Sequence, residues 1–189
     1  MMNKSYRSLD LNIETRKDNE EELIIEGYFA VFNDEIEYIK GYFESIDRSA
    51  FNNSLSGDKD IRALTDHDSS KVLGRTKNET LKLHVDEKGL YGVIKINKDD
   101  TEALNLYKRV KRGDIDQCSF GFYILDQDEK WDEDGNLHVR ITDLELFEVS
   151  VVTFPAYSNT SVEARADELG YKRKKKVEIW KKQILERMK

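Results

Sequence analysis

Ser119 lies in the run Cys118-Ser119-Phe120-Gly121-Phe122, 52 residues after His67 and 29 residues before Glu148. These residue types cover the three roles of a serine hydrolase: a nucleophile, a base that takes its proton, and a carboxylate that orients the base. A serine hydroxyl is a poor nucleophile while protonated, so it needs the base. Histidine suits that task because its ordinary pKa lies near neutrality.

Each of the three has a plainer reading. Ser119 can be a small residue packed under a helix, and His67, between Asp66 and Asp68, a solvent-exposed turn histidine. Glu148 can be one half of an ion pair with Arg75, Arg109 or Arg112. Against that, alternation along Thr142 to Val152 places Leu144, Leu146, Glu148, Ser150 and Val152 on one face. A carboxylate among leucines and valines is costly unless it is paired. Gly121 shares the face of Ser119 and leaves room for a substrate backbone. Phe120 and Phe122 anchor the other face, together with Cys118, which reads as a small core residue. His84 and His138 sit inside Leu83-His84-Val85 and Leu137-His138-Val139 and read as surface strand residues. The Gly-x-Ser-x-Gly elbow, HExxH, the Walker A loop and the dinucleotide fingerprint do not occur.

The elements that must position these residues are mostly strands. Alternating or β-rich runs cover Leu9 to Ile13, Leu23 to Phe32 with a bulge or bend at Gly27, Ile39 to Phe43, and Ile61 to Thr65. Further runs cover Val72 to Arg75, Leu81 to Val85, Leu90 to Ile96, about Ser119 to Leu125, and Leu137 to Thr153, with Pro155 as terminator. Asp47 caps a short helix through Leu55. Asp99 or Thr101 caps another, with Ala103, Leu104, Tyr107 and Val110 as its apolar stripe and Gly113 as its stop. Asp126 to Asn136 reads as a polar hairpin connection; it lacks the residue spacing of a calcium loop. Many short strands with two interposed helices predict a mainly β fold, a small closed or partly closed barrel.

With 22.1 kDa of chain, one core is affordable and two are not. The net charge of −7 excludes a general nucleic-acid footprint. One cysteine rules out an internal disulfide or a cysteine metal cluster. The absence of a long apolar stretch predicts a protein kept in a reducing cytoplasm. The division expected is a protease domain over 1–160 and a basic helical tail over 161–189. In that tail, helices over Ala164 to Leu169 and Val177 to Met188 flank Gly170 and the run Arg173 to Lys176.

Thr65-Asp66-His67-Asp68, the Ser119 to Phe122 run and Leu144 to Ala156 (LELFEVSVVTFPA), in this order, resemble the signatures of the tailed-phage prohead (capsid maturation) serine proteases. Gly27 to Phe32 fits that family's opening strand, and the resemblance covers roughly 8–160. Where the family often has methionine before the serine, this chain has Cys118. The resemblance implies a fold of the herpesvirus-assemblin type and a serine endopeptidase with catalytic His67, Ser119 and Glu148, without metal or cofactor. It further implies that the chain cuts the scaffolding region of the major capsid protein inside the immature procapsid, in the bacterial host cytoplasm. Self-cleavage and homodimers also belong to that picture, and the basic tail would dock the enzyme or be removed. Oxyanion donors are sought in backbone amides near Phe120, or in Arg165. The rival classes are a non-catalytic scaffold-binding module of the procapsid and a cytoplasmic serine esterase.

Overall fold

Two long antiparallel strands, β10 (Gln117–Trp131) and β11 (Leu137–Val152), form the spine of the structure. The computed structural model describes residues 4–9, 13–18, 22–32, 34–57, 59–154 and 159–187. The turn between the two strands is tied by Asp132, whose carboxylate accepts the backbone N–H and the side-chain amide of Asn136, each at 2.8 Å. β1 (Lys4–Leu9) pairs with the outer edge of β10, in register from Lys4↔Tyr123 to Leu9↔Cys118.

The outer edge of β11 is shared. Its first part pairs in parallel with β5 (Tyr42–Ile46), which carries β4 (Ile36–Ile39). Its last part pairs in parallel with β6 (Arg62–Thr65), which carries β7 (Asp68–Arg75). Between these partners the Ser54 hydroxyl bridges the open edge. It donates to the Leu144 carbonyl at 2.7 Å and accepts the Leu146 N–H at 2.8 Å, so the buried backbone stays satisfied. Ser54 is delivered by α1 (Asn52–Leu55), which follows a 3-10 turn over Arg48–Phe51 capped by Asp47.

A second sheet runs β2 (Ile13–Asp18), β3 (Glu22–Val31), β9 (Gly89–Ile96), β8 (Leu81–Val85). α2 (Thr101–Arg112) starts at Asp100, which accepts the amides of Glu102 and Ala103 at 2.9 and 3.1 Å. It stops at Gly113, where φ is +83°. One apolar cluster joins the elements: Ile25, Phe29 and Ile94 of the second sheet, Phe120, Phe122, Val149 and Val151 of the first, and Leu106 and Tyr107 of α2.

The expected barrel is overturned. Among the described residues the strands form two open sheets, and no edge of one closes onto the other. β11 forks between β5 and β6, so the first sheet branches where a barrel would curl. Other expectations shift as well. Leu9 to Ile13 is divided between β1 and β2, in different sheets, and residues 10–12 lie outside the described residues. Ile39 to Phe43 spans the turn between β4 and β5, and the irregularity in β3 falls between Tyr28 and Ala30, not at Gly27. The cap of α2 is Asp100 rather than Asp99 or Thr101, and Leu106, not Leu104, completes its buried stripe. Asp126 to Lys130 continues β10 as paired strand, not a loop. The tail is one helix, α3 (Asn159–Arg187). Gly170 weakens a helix interior, but Leu169 next to it is buried against Tyr42, Leu137 and Val139 and holds the helix through that point. The Pro155 stop lies outside the described residues.

Candidate active site

Register decides which way each strand faces. Ser119 pairs with Ser150 and Gly121 with Glu148, so these four share a face. Cys118, Phe120 and Phe122 turn into the core. The alternation expected along β11 does not hold. Gly121 pairs with Glu148 but Phe122 pairs with Leu146, so Phe147 is an extra residue, a β-bulge. Leu144 and Leu146 therefore join Val149 and Val151 in the core, while Glu148 and Ser150 face the other way. Glu148 is buried, yet not on the leucine face that sequence alternation assigned to it.

Gly121 makes that arrangement possible. A Cβ there would stand 2.5 Å from Glu148 Oε1 and 2.7 Å from the Phe147 ring. The space left by the missing side chain is filled by the chain's own carboxylate and bulged aromatic, where the sequence suggested a substrate backbone.

His67 arrives on the two-residue turn between β6 and β7. Asp66 and His67 have φ of +49° and +58°, the consecutive positive values of a tight hairpin turn. Left-handed backbone at non-glycine residues is unfavourable and persists where neighbours over-determine it. Here Asp66 N–H donates to the Val151 carbonyl at 2.9 Å. The Asp66 carboxylate accepts the Thr153 amide at 2.7 Å and its hydroxyl at 3.1 Å.

Held this way, the His67 ring meets the carboxylate. Nδ1 lies 2.6 Å from Glu148 Oε1. A carboxylate only accepts, so Nδ1–H donates and the lone pair is left on Nε2. That Nε2 is buried and has no hydrogen-bond partner. The Tyr6 ring of β1 packs edge-on against the imidazole, centroids 4.6 Å apart. Ser119 is fully buried, and its hydroxyl donates to the Arg7 carbonyl of β1 at 2.8 Å. The structure thus joins His67 to Glu148 directly and sets Ser119 on the same face, with its proton engaged by β1.

The alternatives for Glu148 fall away in part: Arg75 pairs with Asp60 and Arg112 with Asp114. His138 lies elsewhere, stacked on Phe43 and bonded to Glu35 at 2.8 Å, and His84 lies beside Tyr91. Burial pushes the Cys118 thiol up to about 12, and its Sγ lies 2.6 Å from the Tyr28 carbonyl, so it is no nucleophile. Phe120, near which oxyanion donors were sought, is enclosed between β1 and β11. The Arg165 side chain lies outside the described residues. Sequence reasoning missed Tyr6 and the Asp66–Thr153 anchor, which only the fold brings together. It named Ser150 merely as a neighbour on the strand, although its place two residues after Glu148 was a usable signal.

Residues 10–175 match the family described as caudovirus prohead serine protease. The chain belongs to that family. A relative, the prohead protease of Escherichia phage T5, is 33% identical over 98 residues, 52% of this chain and 42% of that protein. The matched stretch thus spans less than half of the relative's length. The solved capsid assembly protease of bacteriophage T4 aligns over 78% of this chain and 98% of its own, with 13% identity and a TM-score of 0.45. Among the described residues no helix of this family member is long and apolar enough to cross a membrane.

Proposed function

We propose that this chain is a serine endopeptidase that cleaves the scaffolding region of a phage major capsid protein during prohead maturation, and cleaves itself. Ser119 is the nucleophile, His67 the general base and Glu148 the residue that orients it. The observation that carries this reading is the 2.6 Å contact from His67 Nδ1 to Glu148, which leaves Nε2 unpartnered, with Ser119 on the same face of the strand pair as Glu148. Family membership supports the same reaction class.

The Ser119 hydroxyl leaves the Arg7 carbonyl, turns toward Nε2 and gives up its proton as Oγ bonds to the scissile carbonyl carbon. The C–N bond then breaks, and Nε2–H returns the proton to the departing amine. Water repeats the sequence and frees the acid. Glu148 holds the tautomer throughout and stabilises the imidazolium.

The enzyme works inside the immature procapsid in the host, as a homodimer. Its tail serves as a docking arm or is trimmed. Residues 171–189 hold nine basic and two acidic side chains, while the rest of the chain is strongly acidic. On α3, Tyr171, Val177 and Trp180 are exposed among these lysines, which suits an acidic partner surface. Normal processing and packaging by a chain ended at Tyr171 would exclude the docking role.

The catalytic assignment is tested by non-additivity. Rates of cleavage of the cognate capsid precursor are compared for Ser119→Ala, His67→Gln, Glu148→Gln and the triple variant. Residues that act as one unit give a triple variant no slower than Ser119→Ala alone. Losses that multiply would reject the assignment.

A further inference from the structure

We infer that Ser150 is a positioning residue for the His67–Glu148 pair, an inference that rests on the protease reading above. Ser150 is fully buried and stands directly across the strand pair from Ser119. Its one hydroxyl proton goes to Glu148 Oε2 at 2.6 Å. Its oxygen accepts the backbone N–H of His67 at 3.3 Å. One side chain thus grips both members of the pair, the carboxylate by its far oxygen and the histidine by its backbone.

Each contact removes a freedom that the pair would otherwise keep. A carboxylate held only by His67 can swing about its last torsion, since a terminal sp3–sp2 torsion is broad. With Oε2 fixed by Ser150, Oε1 remains aimed at Nδ1. The His67 backbone, in turn, is left-handed, and relaxation of that turn would swing the ring away. Among the described residues the Ser150 hydroxyl is the group that takes the His67 backbone N–H, whereas the Asp66 amide and carboxylate bond to Val151 and Thr153. Ser150 is in turn rigid, because β11 there has β10 on one side and β6 on the other. A burial requirement alone would be met by alanine. The two hydrogen bonds explain why a hydroxyl stands there.

The test uses the full chain with its cognate capsid precursor as substrate. Ser150→Ala is expected to lower kcat by roughly 10- to 100-fold, as a misplaced reacting group does, with KM nearly unchanged. An unchanged kcat, or a rise in KM alone, overturns the role. A second measurement needs no variant of Ser150. In wild-type protein the proton on His67 Nδ1 should give a downfield NMR resonance, lost in His67→Gln and coupled by NOE to the Ser150 side chain. Absence of that coupling overturns the inference even if Ser150→Ala does not fold. If wild type and Ser119→Ala cleave alike, the protease reading fails and the role of Ser150 falls with it, whereas a normal Ser150→Ala beside an inactive Ser119→Ala rejects the positioning role alone.

Discussion

The hydroxyl of Ser119 donates to the carbonyl oxygen of Arg7, 2.8 Å away on the strand that borders β10. The nucleophile's proton is therefore engaged by the chain's own N-terminal strand, and Tyr6 of the same strand packs on His67. In this state the serine is fully buried and no acyl group reaches it. A fluorophosphonate probe should label Ser119 slowly in wild-type protein and faster in Tyr6→Ala, which opens the space over the imidazole. Equal labelling rates would show that β1 does not shield the site.

Gly121 provides a sharper test of how the carboxylate is seated. Gly121→Ala would place a methyl 2.5 Å from Glu148 Oε1, a separation that forces the carboxylate or the Phe147 ring to move. Cleavage of the capsid precursor should fall by about 10²-fold, the scale expected for a misplacement near 1 Å. Thermal stability should fall by about 1–3 kcal/mol, as in ordinary overpacking. Full activity in a folded Gly121→Ala would contradict the described seating of Glu148.

β1 is fastened by a buried ion pair. Arg7 donates from Nε and Nη2 to the two carboxylate oxygens of Glu44, Nη2 to Oε2 at 2.7 Å, with the Tyr38 and Phe122 rings against the guanidinium. Burial opposes the Arg7 charge, but the Glu44 carboxylate more than offsets it, so the guanidinium is held above its ordinary range. Arg7→Met should destabilise the fold by about 3–5 kcal/mol, because it strands a buried carboxylate. The double variant Arg7→Met, Glu44→Leu should recover most of that loss. Urea unfolding of the three proteins decides; a double variant no better than the single one contradicts the pairing.

His138 supplies a pH dependence unrelated to catalysis. Its hydrogen bond to Glu35 raises its pKa, with Asp132 adding to the shift against the cost of burial. A raised folded value means that the charged ring stabilises the fold. That contribution is complete below the unfolded value of about 6.5 and is lost as pH rises through the raised folded value. His138→Gln should remove this part of the stability profile, read from urea midpoints across the neutral range. An unchanged slope would show that His138 carries none of it.

The meeting of His67 with Glu148 was more legible in the sequence than the architecture. His67, Ser119 and Glu148 could be named from residue type and order, because few residues can fill those roles. The reason offered for Glu148 was wrong in detail. Strict alternation assumes an unbroken ladder, and the bulge at Phe147 reverses the facing of everything before it. Gly121 was read as room for substrate, although pairing with a residue 27 positions later fills that room. The left-handed backbone at Asp66 and His67 leaves only a weak local signature, since both residue types tolerate it but neither is glycine. The open sheets were missed for a related reason. Strand lengths say nothing of the fork at which β11 exchanges β5 for β6. The single helix α3 was split at Gly170 because the sequence does not show Leu169 docking on Tyr42 and Leu137.

The most direct measurement is co-expression of this chain with its cognate major capsid protein, wild type beside Ser119→Ala, followed by intact-mass analysis of both proteins in the assembled particles. The account expects a capsid protein shortened at one defined bond only with the wild-type chain. Full-length capsid protein of identical mass in both particles, each shown to contain this chain, would contradict it.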